Sequence, residues 1–219
     1  MFAYCNNNPI NMSDPNGMCS RFLGFLWKID CKKATCKSSD YYNPYAEKVA
    51  VIYDGRSSGW FFGLNGKGFR AQAQHMISAL ETTFEVESYA YKSVGEFISS
   101  WNSLEGEYSE IYIYGHGYPG GLSYGGESIG TPGTVEYSIW ELNPVQAPSV
   151  YLYASNGATV DAHGKSLASY LAQLSNGAVY AVMNGCIGYY YGTGIPRATY
   201  GGIWSITTKH YAIGSDMWG

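Results

Sequence analysis

His116 and Ser155 are the residues of this chain whose types and settings could carry covalent chemistry. His116 stands in Ile111-Tyr-Ile-Tyr-Gly-His-Gly-Tyr118 and Ser155 in Val150-Tyr-Leu-Tyr-Ala-Ser-Asn-Gly157, each ending an apolar, β-rich run at a glycine-bearing turn. An imidazole titrates near neutrality and can take and return a proton, while a hydroxyl can attack a carbonyl once a base activates it. In an open parallel sheet, ligands bind beyond the carboxyl ends of the strands, so a base on one strand tip and a nucleophile on another can meet across a substrate. The 39 positions from 116 to 155 leave room for one crossover between the two strands. Alone, Gly-His-Gly is an ordinary surface turn and Ser-Asn an ordinary strand ending. Their matched placement on consecutive strands is what points to a site.

The elements that must position the pair can be read around it. Val49-Ala-Val-Ile-Tyr53 is a buried-strand run, and Phe69 to Phe84 has helical spacing with Ala73, Ile77, Leu80 and Phe84 on one face. Glu85 to Tyr91 reads as a strand, and Ser93 as the N-cap of a helix over Val94 to Leu104. Strands follow at Glu110 to Tyr114 and Ser149 to Ala154, then a helix at Lys165 to Leu174 and a strand at Ala178 to Met183. This alternation predicts an α/β fold with a mostly parallel sheet, right-handed crossovers and helices on both faces. The Gly-rich stretch 115–133 and the Tyr/Gly-rich tail from Ile187 read as loops and hairpins at the end of the sheet. Residues 1–47 are turn-rich apart from Phe22-Leu-Gly-Phe-Leu-Trp27, which sets a boundary near Tyr45.

Composition narrows the class of partner. With 219 residues, 46% of them hydrophobic, the chain can bury a full core. A formal charge of −4 and only 14% charged residues give no basic face for nucleic-acid phosphates and no polybasic membrane anchor. No apolar run reaches the ~18 residues of a membrane span, and the first residues do not read as a signal peptide, so neither membrane insertion nor a built-in export signal is expected. Twenty-two tyrosines and 28 glycines favour aromatic strands joined by tight turns. Four of the five cysteines (Cys5, Cys19, Cys31, Cys36) precede the main domain, and Cys186 follows its last predicted strand. No second Cys or His pair stands at zinc spacing, so free thiols are expected and no metal site.

A serine nucleophile usually needs a base oriented by an acid, and often sits in Gly-x-Ser-x-Gly. Ala154-Ser155-Asn156-Gly157 lacks the first glycine, and Asp54 and Asp161 are the acids open as orienters. A cysteine needs less help, because a thiol beside a histidine ionises readily. The setting suits a Cys–His dyad and carries a serine. The block ending in Tyr114-Gly-His-Gly117, followed by the block ending in Tyr153-Ala-Ser-Asn-Gly157, resembles the caspase-like cysteine peptidases over roughly residues 48–186. Their pattern is an apolar strand ending in His-Gly, then one ending in Ala-Cys or Ser-Cys. The resemblance implies a three-layer αβα sandwich with a mostly parallel central sheet, and makes His116 the catalytic histidine. Ser155 then falls on the catalytic cysteine, and the backbone N–H groups of Gly117 and Ser155 on the oxyanion hole.

Three accounts of Ser155 stand: a deliberate Cys-to-Ser change that silences a harmful protease, which is slightly favoured; a natural loss that leaves a peptide- or protein-binding module; and a working serine hydrolase. Arg56, Arg70 and Asp161 are candidate substrate contacts, since they lie just past strand ends or before the first helix. No cofactor is required, and the expected partners are a protein or peptide substrate and an immunity protein.

A second resemblance sits at the start. Phe2-Ala-Tyr-Cys-Asn-Asn-Asn-Pro-Ile-Asn-Met-Ser-Asp-Pro-Asn-Gly17 is similar to the end of an RHS repeat-associated core domain. Asp14-Pro15-Asn16-Gly17 is by itself a strong β-turn sequence. In that family it marks the junction, cut after the position of Met18, where a variable carboxyl-terminal toxin or effector begins. The resemblance divides the chain into 1–18, the end of an RHS core, 19–47, a linker, and 48–219, a caspase-like domain. It implies a bacterial polymorphic toxin, secreted or delivered into a target cell as part of a larger protein.

Overall fold

The computed structural model describes residues 12–13, 21–22, 47–56, 65–189, 195–208 and 212–213. Two short strands, β1 (Met12–Ser13) and β2 (Arg21–Phe22), pair antiparallel ahead of the main body. Then come β3 (Lys48–Asp54), α1 (Asn65–Leu80), β4 (Glu85–Tyr91), α2 (Val94–Asn102) and β5 (Glu110–Tyr114). Four short strands follow, β6 (His116–Tyr118), β7 (Gly121–Tyr124), β8 (Glu127–Gly130) and β9 (Tyr137–Ser138), ending in a single 3-10 turn at Ile139–Glu141. The rest is β10 (Ser149–Tyr153), α3 (Leu167–Ser175), β11 (Ala178–Met183), β12 (Cys186–Tyr189), β13 (Pro196–Thr199), β14 (Ile203–Thr207) and β15 (Ala212–Ile213).

The fold is α/β, built on a seven-stranded sheet in the order β15-β14-β11-β10-β5-β3-β4. The five strands from β11 to β4 are parallel to their neighbours, and β14 and β15 run antiparallel at one end. Interior strands covered on both faces read as continuous apolar runs, which is why β3, β5 and β10 show no polar alternation. Their side chains alternate between two cores. Ala50, Ile52, Ile111, Ile113, Val150 and Leu152 pack with Phe97 and Trp101 of α2 and Leu167 and Leu171 of α3. Val51, Tyr112, Tyr114, Tyr151 and Tyr153 face the other way, with Phe69, Ala73, Met76 and Leu80 of α1. On that second face the Tyr112, Tyr151 and Tyr180 rings stack across three adjacent strands, at 4.8 and 4.9 Å.

Local chemistry sets the helix ends. The Ser93 side chain accepts from the Glu96 N–H, and Glu96 accepts from the Lys92 N–H, so α2 starts as its sequence predicts. It stops at Asn102, two residues short of the prediction, where Ser103 caps it. α3 begins at Leu167 rather than Lys165, because Ser166 is its N-cap in a reciprocal pair with Ser169. α1 runs from Asn65, four residues ahead of the predicted start. It ends at Leu80, and the amides of Thr83 and Phe84 turn back onto the Leu80 carbonyl.

The stretch 115–133, read as loops and hairpins, forms β6, β7 and β8 of a small second sheet that β9 completes, and its Leu122, Tyr124 and Ile129 join the α2/α3 core. The tail yields the predicted hairpin, β12 with β13, but β14 also joins the central sheet beside β11.

Candidate functional site

β5 and β10 are neighbours, paired in parallel from Glu110 opposite Ser149 to Tyr114 opposite Tyr153. Their carboxyl ends therefore lie side by side, and His116 and Ser155 follow them by two residues each. The ladder continues past the strands: the Gly115 N–H donates to the Tyr153 carbonyl at 3.2 Å. Beyond it the two chains close up. A Cβ on Gly117 would stand 2.2 Å from the Ser155 carbonyl oxygen and 2.9 Å from the Ala154 Cβ, so only glycine fits there.

The turn at Ser155 is fixed from the β11 side. Asn156 takes a left-handed conformation, φ +56°, which asparagine tolerates better than most residues. Its N–H donates to Gly185 O, and the Ala158 N–H donates to Val182 O. The Ser155 hydroxyl accepts the Ile187 N–H at 3.3 Å. Residues 185–187 therefore act as a third wall, and neither helical nor strand periodicity announces it.

His116 is half-buried, with its ring edge-on to Phe69 of α1 at 4.8 Å. Burial lowers its pKa below the usual imidazole value; Asp54 pulls the other way, and Arg56 adds to the lowering. A neutral imidazole at neutral pH is the form that accepts a proton. The turn that carries it is held from below by Tyr91, whose buried hydroxyl donates to the Tyr114 carbonyl at 3.1 Å. A Cβ on Gly115 would lie 2.2 Å from that hydroxyl.

The three predicted substrate contacts part company. Arg56 follows β3 and binds Asp54 through its side chain, with Nη2 2.6 Å from Oδ2, while its guanidinium lies over the Tyr124 ring. Asp161 lies in the segment after Ser155, where its carboxylate accepts from the Thr131 hydroxyl and from the backbone N–H groups of His163 and Lys165. Burial opposes its charge, but the Thr131 hydroxyl and those two N–H groups outweigh it and hold the carboxyl below its ordinary pKa. It borders an open cavity of about 210 Å³ together with Tyr118, Gly120, Thr131, Thr134 and His163. That cavity lies between the segments leaving the two strand tips. Arg70, by contrast, is exposed within α1 rather than ahead of it.

Asp54, one of the two acids open as orienters, acts on His116 and is salt-bridged to Arg56. The junction residues Asp14, Pro15, Gly17 and Met18, like Cys5, Cys19, Cys31 and Cys36, lie outside the described residues. Cys186 is a free thiol. Among the described residues no cluster of three or more His, Cys, Asp or Glu is arranged to hold a metal ion, and no helix is long and apolar enough to cross a membrane.

The sequence missed Phe69, Tyr91 and Ile187 as parts of the site. Phe69 and Tyr91 read as core, and Ile187 acts through its backbone. None of the three carries a local sequence signal of that role. No family model, no curated protein and no solved structure matches this chain.

Proposed function

We propose that residues 48–219 form a caspase-like cysteine endopeptidase domain with a three-layer αβα sandwich, silent as written because Ser155 stands at the nucleophile position. In this reading the domain is the effector part of a bacterial RHS toxin, delivered into a target cell. The observation that carries it is the placement of His116 and Ser155 two residues past the ends of adjacent parallel strands, which pack so closely that position 117 admits no side chain.

With cysteine at 155, the neutral His116 imidazole takes the thiol proton and the thiolate attacks a peptide carbonyl. The scissile C–N bond breaks as His116 returns the proton to the leaving amine, and water then hydrolyses the acyl-enzyme. The N–H groups at 117 and 155 are the assigned donors to the developing oxyanion. Asp161, at its cavity between the two loops, is the assigned contact for a substrate side chain. The chemistry needs no cofactor, and an immunity protein would act by covering this end of the sheet.

A second reading, a non-catalytic module that binds a peptide or protein, draws on the Ser155 hydroxyl accepting the Ile187 N–H, a structural contact of the turn. A serine hydrolase is the weakest of the three, since a hydroxyl, unlike a thiol beside a histidine, does not ionise readily.

Three proteins separate these readings: the chain as given, Ser155→Cys, and Ser155→Cys with His116→Ala, each expressed under tight control while new protein N-termini and host growth are scored. New termini from Ser155→Cys alone support the protease. If all three are inert, the catalytic claim fails and partner capture becomes the question. Labelling of Ser155 in the chain as given by an organophosphonate would instead mark a serine hydrolase.

A further inference from the structure

The ion pair between Asp54 and Arg56 takes no part in the chemistry above, yet it lies against the histidine. β3 runs beside β5 with Tyr53 opposite Tyr114, which brings Asp54, the next residue, alongside the Gly115-His116 turn. Asp54 is fully buried, and Arg56 binds it with its backbone N–H, Nε and Nη2 at 2.6 to 3.1 Å. The guanidinium stacks 3.7 Å from the centroid of Tyr124, the residue after Ser123, and Ser123 is registered opposite His116. The pair is thus clamped between the end of β3 and the β6–β7 hairpin. From α1 the histidine meets Phe69, which carries no charge. Among the described residues, Asp54 and Arg56 are the charged groups that act on the imidazole.

We infer that Arg56 is a positioning residue for His116: by neutralising the buried Asp54 carboxylate, it keeps the imidazole uncharged at neutral pH and therefore able to accept a proton. A buried carboxylate beside an imidazole favours imidazolium, because an opposite charge stabilises the protonated ring. Remove the guanidinium, and the attraction of the Asp54 carboxylate for a proton on His116 is no longer offset. An imidazolium has no lone pair left to act as a base. Arg56 thus acts on the site through Asp54, from a part-buried ion pair. The inference rests on His116 being the general base, but its signature is read on the ring itself and not in turnover.

The test is an NMR titration of the His116 ring resonances in the full chain, identified by their absence in His116→Ala. It compares the chain as given with Arg56→Gln, Arg56→Lys, Asp54→Asn, and Asp54→Asn combined with Arg56→Gln. The midpoint moves to higher pH in R56Q, and R56K, which keeps the charge, returns it toward the parent. D54N moves the midpoint to lower pH, below that of the double variant, in which neither charge remains. An R56Q protein that titrates with the parent overturns the inference. Should R56Q not fold, the comparison of D54N with the double variant isolates the Arg56 charge, and equal midpoints there overturn it as well. If these shifts occur while Ser155→Cys produces no new termini, the role of Arg56 stands and the protease reading alone is lost.

Discussion

Gly117→Ala probes the contact on which the site depends. The added Cβ would stand 2.2 Å from the Ser155 carbonyl oxygen, 2.9 Å from the Ala154 Cβ and 3.2 Å from the Ser155 carbonyl carbon. Real Cβ atoms essentially never approach closer than 3.0 Å, so the oxygen contact alone requires a displacement of about 0.8 Å. Two of the three obstructing atoms are backbone, and the third is a methyl fixed to it, so no rotamer change provides relief. The tips of β5 and β10 must part. Overpacking of this kind costs about 1–3 kcal/mol. For a domain of this size each kcal/mol lowers Tm by roughly 2–4 °C, giving a loss of about 2–12 °C. A displacement approaching 1 Å between reacting groups costs on the order of 10²-fold in rate, which is the expected loss when G117A is placed in the Ser155→Cys background. Thermal denaturation followed by circular dichroism, with amide resonances of residues 115–117 and 154–157, provides the assay. An unchanged Tm with unmoved resonances would show that the strand tips are not in this contact, and the geometric case for the pair would collapse.

Gly115→Ala should destabilise the turn by a similar about 1–3 kcal/mol, because its Cβ meets the Tyr91 hydroxyl at 2.2 Å. Once that hydroxyl is gone the next atom is 3.6 Å away, so Tyr91→Phe combined with Gly115→Ala should melt higher than the sum of the single losses predicts. Stability should also depend on the protonation of His116. Its folded pKa lies below the ordinary 6.5, mainly through burial, so between the two values the unfolded chain binds more protons. The contribution is complete above 6.5 and is lost as pH falls through the folded value, and His116→Gln should flatten that part of a urea-midpoint profile. Trp101→Ala, which empties a site 1% exposed and removes the donor to Asn143 O, should cost about 3–5 kcal/mol; denaturant titration measures it. A loss below 1 kcal/mol would place α2 off the sheet.

The strands were legible wherever the local pattern carried the information. Glu85 to Tyr91, Glu110 to Tyr114 and Ala178 to Met183 begin and end as the sequence predicts, because short segments rich in β-branched and aromatic residues and bounded by turns have few alternatives. Ser93 was legible for the same reason: a cap acts within three residues. The early start of α1 was not, since Gly66 and Gly68 argue locally against a helix and Phe69 is the first apolar residue in register. β14 was missed because its place in the central sheet depends on pairing with β11, and Gly201 and Gly202 just before it look like loop. For the site, adjacent strand tips followed from strand order, but the partners of each side chain did not. Arg56 read as a substrate contact because it lies just past a strand end, and only the fold shows that its guanidinium turns back onto Asp54.

The bonds from the Ser155 turn to Gly185 and Ile187 make the site dependent on backbone that is synthesised after both of its reactive residues. A growing chain that has emerged only as far as Ser175 already contains both His116 and Ser155. It still lacks β11 and the backbone to which Ser155 and Asn156 bond. The arrangement therefore forms only once residues 185–187 have emerged, and shorter ribosome-bound intermediates carry its residues without its geometry.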